Sequence, residues 1–170
     1  SDGWFNLLRA IGDLPLGVLI GAVISLVLLI RRASRPNVAF LGRIPGTNRY
    51  SDAARHPDNE PTPGLLVFRV EASLVYFNSE HIYDSVLARL EASPEPVERV
   101  VWDLSTSPMV DMAGARLVGN LHEELKRRGI ALELAEPRSS VRDMLRTEGI
   151  EERLGRRIDR FTSLADAISG

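Results

Sequence analysis

"VERVVWDLSTSPMVDMAGARLVGNLHEELKRRG" (residues 97–129) is the stretch that decides the fold. Its first eight residues, 97–104, form a nearly continuous apolar run, the pattern of a strand buried on both faces. After Met112 the period changes. Leu117, Val118, Leu121 and Leu125 fall on one helical face, and Lys126, Arg127 and Arg128 fill the last turn, where cations complement the negative helix end. Gly129 suits the left-handed stop, and Asp111 stands at the N-cap. A buried strand, a short loop and an amphipathic helix make half of a strand–helix–strand unit.

The neighbouring segments repeat the alternation. Upstream, "LLVFRV" (65–70) and "LVYF" (74–77) read as two strands joined in a hairpin by Glu71-Ala72-Ser73. Asn78 is placed to cap a helix carrying Ile82, Val86, Leu87 and Leu90, which ends before Pro94. Downstream, "IALELA" (130–135) is a strand, and Ser140 to Asp143 has the capping-box spacing for a helix with Val141, Met144 and Leu145 inward. "RRIDRF" (156–161) reads as a short edge strand, and Ser163 to Asp166 repeats the capping spacing. The order ββαβαβαβα predicts an α/β domain over residues 64–170, with a mostly parallel sheet and one antiparallel hairpin strand.

Ahead of this domain the chain is different. Residues 14–30, "LPLGVLIGAVISLVLLI", contain no charge, and as a helix they are about 25 Å long, close to the thickness of a hydrocarbon core. The helix is apolar on all sides, and Gly17, Gly21 and Ser25 form a stripe of small residues that admits a neighbouring helix in lipid. Residues 1–32 are therefore read as a region with one transmembrane helix. Asp2 and Asp13 before the run and Arg31-Arg32 after it do not fit a cleaved signal peptide. Residues 31–56 hold six arginines against one aspartate, and Arg31, Arg32 and Arg35 place the following chain in the cytoplasm by the positive-inside rule. Residues 33–63 carry five prolines and read as a juxtamembrane connector. Val38, Phe40, Leu41, Ile44 and Tyr50 give it apolar surface with which to dock.

Several function classes are excluded by composition. The net charge of −2 gives no nucleic-acid signature, and the absence of cysteine removes thiol chemistry and sulfur-ligated metals. His56, His81 and His122 are scattered without ligand spacing, so no metal site is expected. Asp103 and Asp111 are two carboxylates in one loop region, yet no nucleophile, ligand or orienting histidine accompanies them. They read as structural, and no catalytic residue or cofactor is assigned. No GxxxxGK[ST] loop is present.

The block "VWDLSTSPMVDMAGARLVGNLHEEL" (101–125) resembles the STAS domain, shared by anti-sigma factor antagonists and the C-terminal tails of sulfate-permease (SulP) anion transporters. The matching signature is Asp103-Leu104-Ser105, then Val110-Asp111, then Ala113-Gly114-Ala115. "FLGRIPGTNRY" (40–50) resembles the segment joining the last membrane helix of SulP transporters to that domain, and "LVYFNSE" (74–80) resembles the second strand and helix start of the same tails. The resemblance implies the C-terminal region of a multi-pass inner (plasma) membrane anion transporter for sulfate, bicarbonate or dicarboxylate. That protein is typically a homodimer, and its non-catalytic STAS domain acts in regulation or assembly. The partners implied are the transporter's membrane core, the lipid bilayer, and a regulatory protein or guanine nucleotide. The binding residues carried over are Asp103, Ser105, Asp111, Met112, Ala113 and Gly114. In the antagonists, a serine just before the helix glycine is phosphorylated; here that position is Ala113, so this switch is not expected. A membrane-tethered STAS signalling protein of the antagonist type is the alternative reading.

Overall fold

The computed structural model describes residues 2–169 and divides into two compact units, residues 1–34 and 35–170. In the first unit, α1 (Asp2–Gly12) precedes α2 (Leu16–Ser34). The sequence reading placed one helix at 14–30. The observed helix begins two residues later, because Leu14 lies in the closing turn of α1, where its N–H donates to the Ile11 carbonyl. It then runs past the arginines to Ser34. Its eighteen most apolar consecutive residues have a mean hydropathy of 2.1, and no residue of α2 is buried.

The second unit is built on a five-stranded sheet in the order β2-β1-β3-β4-β5. The strands are β1 (Val38–Arg43), β2 (Tyr50–Asp52), β3 (Leu65–Val70), β4 (Arg99–Asp103) and β5 (Ala131–Ala135). β3, β4 and β5 are parallel, while β1 is antiparallel to both β2 and β3. The helices are α3 (Ser79–Glu91), α4 (Met112–Arg127), α5 (Ser139–Thr147), α6 (Ile150–Leu154) and α7 (Leu164–Ser169). The α/β class with a mixed sheet is as the sequence predicts. The two strands β1 and β2 come from residues 38–52, ahead of Gly64.

The hairpin is not where it was expected. Residues 74–77 form no strand, since β1 already occupies the edge of β3 that a hairpin partner would need. Leu74 instead makes a single parallel bridge to Val110, and Asn78 closes the 73–78 turn. The Asn78 Oδ1 accepts the Val75 N–H, and its Nδ2 donates to the Ser73 carbonyl. Asn78 therefore holds the N-cap position of α3 without capping it through its side chain. Residues 156–161 form no strand either. Glu151 accepts the Ile158 N–H, and Asp159 accepts those of Phe161 and Thr162, which curls the segment into turns. The capping box at Ser140–Asp143 is also absent: α5 starts at Ser139, and the Ser140 hydroxyl donates to the Pro108 carbonyl. At Ser163 the expected cap is present, with the hydroxyl oxygen accepting the Asp166 N–H at 3.1 Å.

The main core lies between the sheet and helices α3, α4, α5 and α6. Phe68 and Trp102 are fully buried there, with ring centroids 4.8 Å apart, beside Leu121, Leu125 and Leu145. The other face of the sheet presents Ala39, Leu41, Val67, Val101 and Ala135, and α7 packs on it through Ala167. Arg99 fastens this helix: its guanidinium donates to the Ala167 and Ile168 carbonyls and pairs with Glu133 at 3.3 Å.

Candidate functional site

The candidate residues lie at the ends of the parallel strands, where β4 gives way to the loop before α4. In open α/β sheets this end is where ligands bind, because the loops there converge above the strand termini. On the first limb, Asp103 is buried at the end of β4, and its Oδ1 accepts the Ser105 N–H at 2.9 Å. Thr106 and the fully buried Ser107 both direct their hydroxyls to the Val70 carbonyl, sealing the end of β3. These hydroxyls act as turn residues.

On the second limb, Asp111 is the extended N-cap of α4. Its Oδ1 accepts the Gly114 N–H at 2.7 Å, and its Oδ2 accepts the Tyr76 N–H at 3.0 Å. The Leu74 N–H donates to the Met109 carbonyl, and the Asp111 N–H donates to the Leu74 carbonyl. These bonds lay segment 74–76 across the start of the helix. Gly114 is required by that crossing, since a Cβ at this position would collide with the backbone of Leu74. The Asp-x-x-Gly spacing is thus one packing unit. Asp111 fixes the crossing segment, and Gly114 makes room for it.

Asp111, Met112, Ala113 and Gly114 are brought together at the helix start, while Asp103 and Ser105 sit on the other limb. Asp103 is engaged by the Ser105 N–H of its own limb, and Asp111 by the N–H groups of Gly114 and of Tyr76 in the crossing segment. Glu136, just past β5, has a left-handed backbone (φ 53°), and its carboxyl is raised above the ordinary range by partial burial and then by the nearby Asp103 charge. Among the described residues no group of histidine and acidic side chains is arranged to hold a metal ion.

Sequence reasoning missed an apolar patch. Tyr76, Phe77, Met109 and Met112 are all exposed, Tyr76 by 80 %, and the 74–76 crossing gathers them at one end of the domain. Read as a strand, residues 74–77 gave no hint of this. Among the described residues of the second unit, Phe161 is the only other strongly exposed large apolar side chain.

Comparison with known proteins places this geometry. A model of the STAS domain matches residues 56–167. High affinity sulfate transporter 2 of Stylosanthes hamata is 28% identical over 166 residues, covering 92% of this chain and 25% of that protein. A probable sulfate transporter of Mycobacterium tuberculosis is 30% identical over 139 residues, covering 82% of this chain and 25% of the relative. The chain thus spans about a quarter of the length of the curated relatives it matches. Among solved structures, the murine solute carrier 26 family member A9 anion transporter in the inward-facing state superposes with a TM-score of 0.75. It is 21% identical, over 92% of this chain and 25% of that one. A sulfate transporter family protein from Wolinella succinogenes gives a TM-score of 0.52 at 16% identity, over 70% of this chain and 94% of that one. These two likenesses are of fold.

Proposed function

The chain belongs to the STAS domain family, and from that premise we propose that it is the membrane-anchored regulatory region of a sulfate-transporter-type anion transporter. The absent remainder of such a protein carries the anion, of the sulfate, bicarbonate or dicarboxylate class. This region tethers a non-catalytic STAS domain to the cytoplasmic face of the inner membrane and presents it for docking. The observation that carries the reading is the continuity of α2 with the sheet. An apolar helix with Arg31 and Arg32 in its last turn is followed by Arg35 and, within four residues of Ser34, by β1, and the similarity to sulfate transporters extends over 92% of the chain. The Tyr76, Phe77, Met109 and Met112 patch is the docking surface, and a second copy of the transporter or its membrane core are the partners.

The cysteine-free sequence makes a direct test available. A single cysteine at Asn48, in the turn between β1 and β2, is probed with a membrane-impermeant maleimide in cells and in inverted vesicles. Labelling in inverted vesicles alone is expected. Labelling in intact cells puts the domain on the outer face and ends the reading. A fragment starting at Arg35 is expected to stay dispersed in plain buffer, whereas the whole chain requires detergent.

A further inference from the structure

We propose that residues 71–81 are a coupling element with His81 as its positioning residue. The element holds the point where the chain enters the domain and the Tyr76–Phe77 part of the docking patch in one fixed arrangement. This deepens the reading of that patch as a docking surface and rests on it. The entering chain is gripped at three successive residues. Val38 pairs with Val70, the Asn37 carbonyl accepts the Glu71 N–H at 3.0 Å, and the carbonyl of the buried Pro36 lies 3.2 Å from His81 Nε2. A carbonyl only accepts, so Nε2 carries the proton and donates.

Proline explains why a side chain is needed there. Pro36 has no N–H, so the ladder between β1 and β3 cannot continue through its nitrogen. It also biases Arg35 toward extended backbone, which fits the end of α2 at Ser34. The chain thus leaves helical geometry at Ser34 and is fixed to the domain from Pro36 onward. His81 makes the first of these attachments, and it does so from a different element, the first turn of α3.

The gripping segment is also the one that carries the patch. Glu71 at one end and His81 at the other both hold the entering chain. Between them the buried Asn78 closes the turn, accepting from Val75 and donating to Ser73. The Ser79 hydroxyl donates to the Val75 carbonyl and the Ile82 N–H to the Asn78 carbonyl, which carries the turn into α3. Tyr76 and Phe77 stand exposed on this turn, and Asp111 holds the Tyr76 N–H. These bonds leave little freedom between Tyr76 and His81. A partner that shifts the turn therefore shifts the Pro36 bond, and by reciprocity cutting that bond loosens the turn.

Hydrogen exchange on the whole chain in detergent micelles, resolved to single amides, reads the coupling. The Glu71 amide reports the grip on Asn37, and the Val75 and Tyr76 amides report the patch turn. The Leu104 amide, bonded to Ala135, reports the rest of the sheet. His81→Ala is expected to speed Glu71, Val75 and Tyr76 about fivefold, the effect of one lost hydrogen bond, with Leu104 unchanged. His81→Gln, whose amide nitrogen reaches the Nε2 position, is expected to restore all three. Should the alanine chain not fold, His81→Asn takes its place, since its shorter amide falls short of Pro36. Faster exchange at Glu71 alone means that the grip does not reach the patch, and an equal rise at Leu104 makes His81 a general stability contact. Either result overturns the proposal, as does unchanged exchange throughout or a glutamine chain that behaves like the alanine one. None of these outcomes touches the parent reading, which the maleimide labelling at Asn48 and transport by patch variants decide separately.

Discussion

Asp111 and Tyr76, thirty-five residues apart, are joined by one hydrogen bond in which the Asp111 carboxylate accepts the Tyr76 backbone N–H at 3.0 Å. The other carboxylate oxygen caps α4, so a single side chain ties the helix start to the segment lying over it. Replacing it leaves two donors without a partner.

Asp111→Ala is expected to destabilise the domain by about 2–3 kcal/mol, more than the ~1 kcal/mol of an ordinary cap. Asp111→Asn, which keeps an acceptor, is expected to recover about half of the loss. Urea unfolding of the detergent-solubilised chain, followed by Trp102 fluorescence, gives the comparison. Asp111→Asn as stable as the parent would show that the bond to Tyr76 contributes nothing.

Two glycines of α4 are expected to respond differently to alanine. At Gly114 the added methyl meets the backbone of Leu74, which cannot yield without moving the 73–78 turn, and a loss above about 3 kcal/mol is expected. At Gly119 the methyl meets chiefly the guanidinium of Arg153, the mobile end of a long side chain, and also lies 3.1 Å from Cδ1 of the buried Ile150, which must shift by a few tenths of an ångström. That cost is offset by alanine's helix propensity, about 1 kcal/mol, leaving Gly119→Ala close to neutral. Thermal melts of the two variants decide the matter, and similar losses would sink the distinction.

The raised carboxyl of Glu136 has a defined pH signature. The folded state holds this proton more tightly than the unfolded one, so stability falls as pH rises from about the ordinary value of 4.5 through the folded pKa. At neutral pH the charge is a net cost, from partial burial first and from Asp103 second. Glu136→Gln is expected to melt higher than the parent at pH 7, and the gap should close below pH 4.5. Glu136→Gly is expected to add roughly 0.5–1 kcal/mol by relieving the left-handed backbone. Melting curves at several pH values that ran parallel for parent and Glu136→Gln would refute the assignment.

Arg99 holds α7 against the second face of the sheet through two carbonyls near the end of that helix. Arg99→Met keeps much of the side-chain volume and removes the donors. The variant is expected to release α7, exposing Val67 and Val101 and opening the 160–169 segment to protease while the main core stays intact. Limited proteolysis read by mass spectrometry tests this. Unchanged protection of residues 160–169 would assign the attachment to the apolar contacts alone.

The exposed patch separates stability from docking. Tyr76→Ser and Met112→Ser alter side chains that are more than half exposed, so each is expected to change stability by less than about 0.5 kcal/mol. On the proposed function, the double variant carried in the whole transporter is expected to lose transport or assembly despite normal folding. Transport equal to the parent would remove this patch from the proposed docking role.

The sequence was most legible where periodicity and caps agreed. The β4 run, the α4 stripe, Asp111 at the N-cap and the α/β class were all readable, because each is decided within a window of a few residues. It was least legible where a distant segment competed. Residues 74–77 have strand composition, but the edge of β3 is filled by β1, from more than twenty residues upstream of it. Proline density marked residues 33–63 as irregular, although Val38–Arg43 lies between breakers and is long enough for a strand. At the site, Asp111 and Gly114 were recognised as a pair, while the reason for the glycine needed the path of Leu74. Tyr76, Phe77, Met109 and Met112 became a patch only through that same crossing.

The placement of β1 has a consequence for how the protein is made. Val38 pairs with Val70, and β4 and β5 follow only after further helices have been synthesised. During translation, an apolar strand bearing Val38, Phe40 and Leu41 therefore leaves the ribosome before its inner neighbour β3 exists, with only the three-residue β2 to pair with. The sheet closes late, around long-range contacts, which is the slow and aggregation-exposed order of assembly. Nascent chains stalled shortly after β1 should be the ones that chaperones hold.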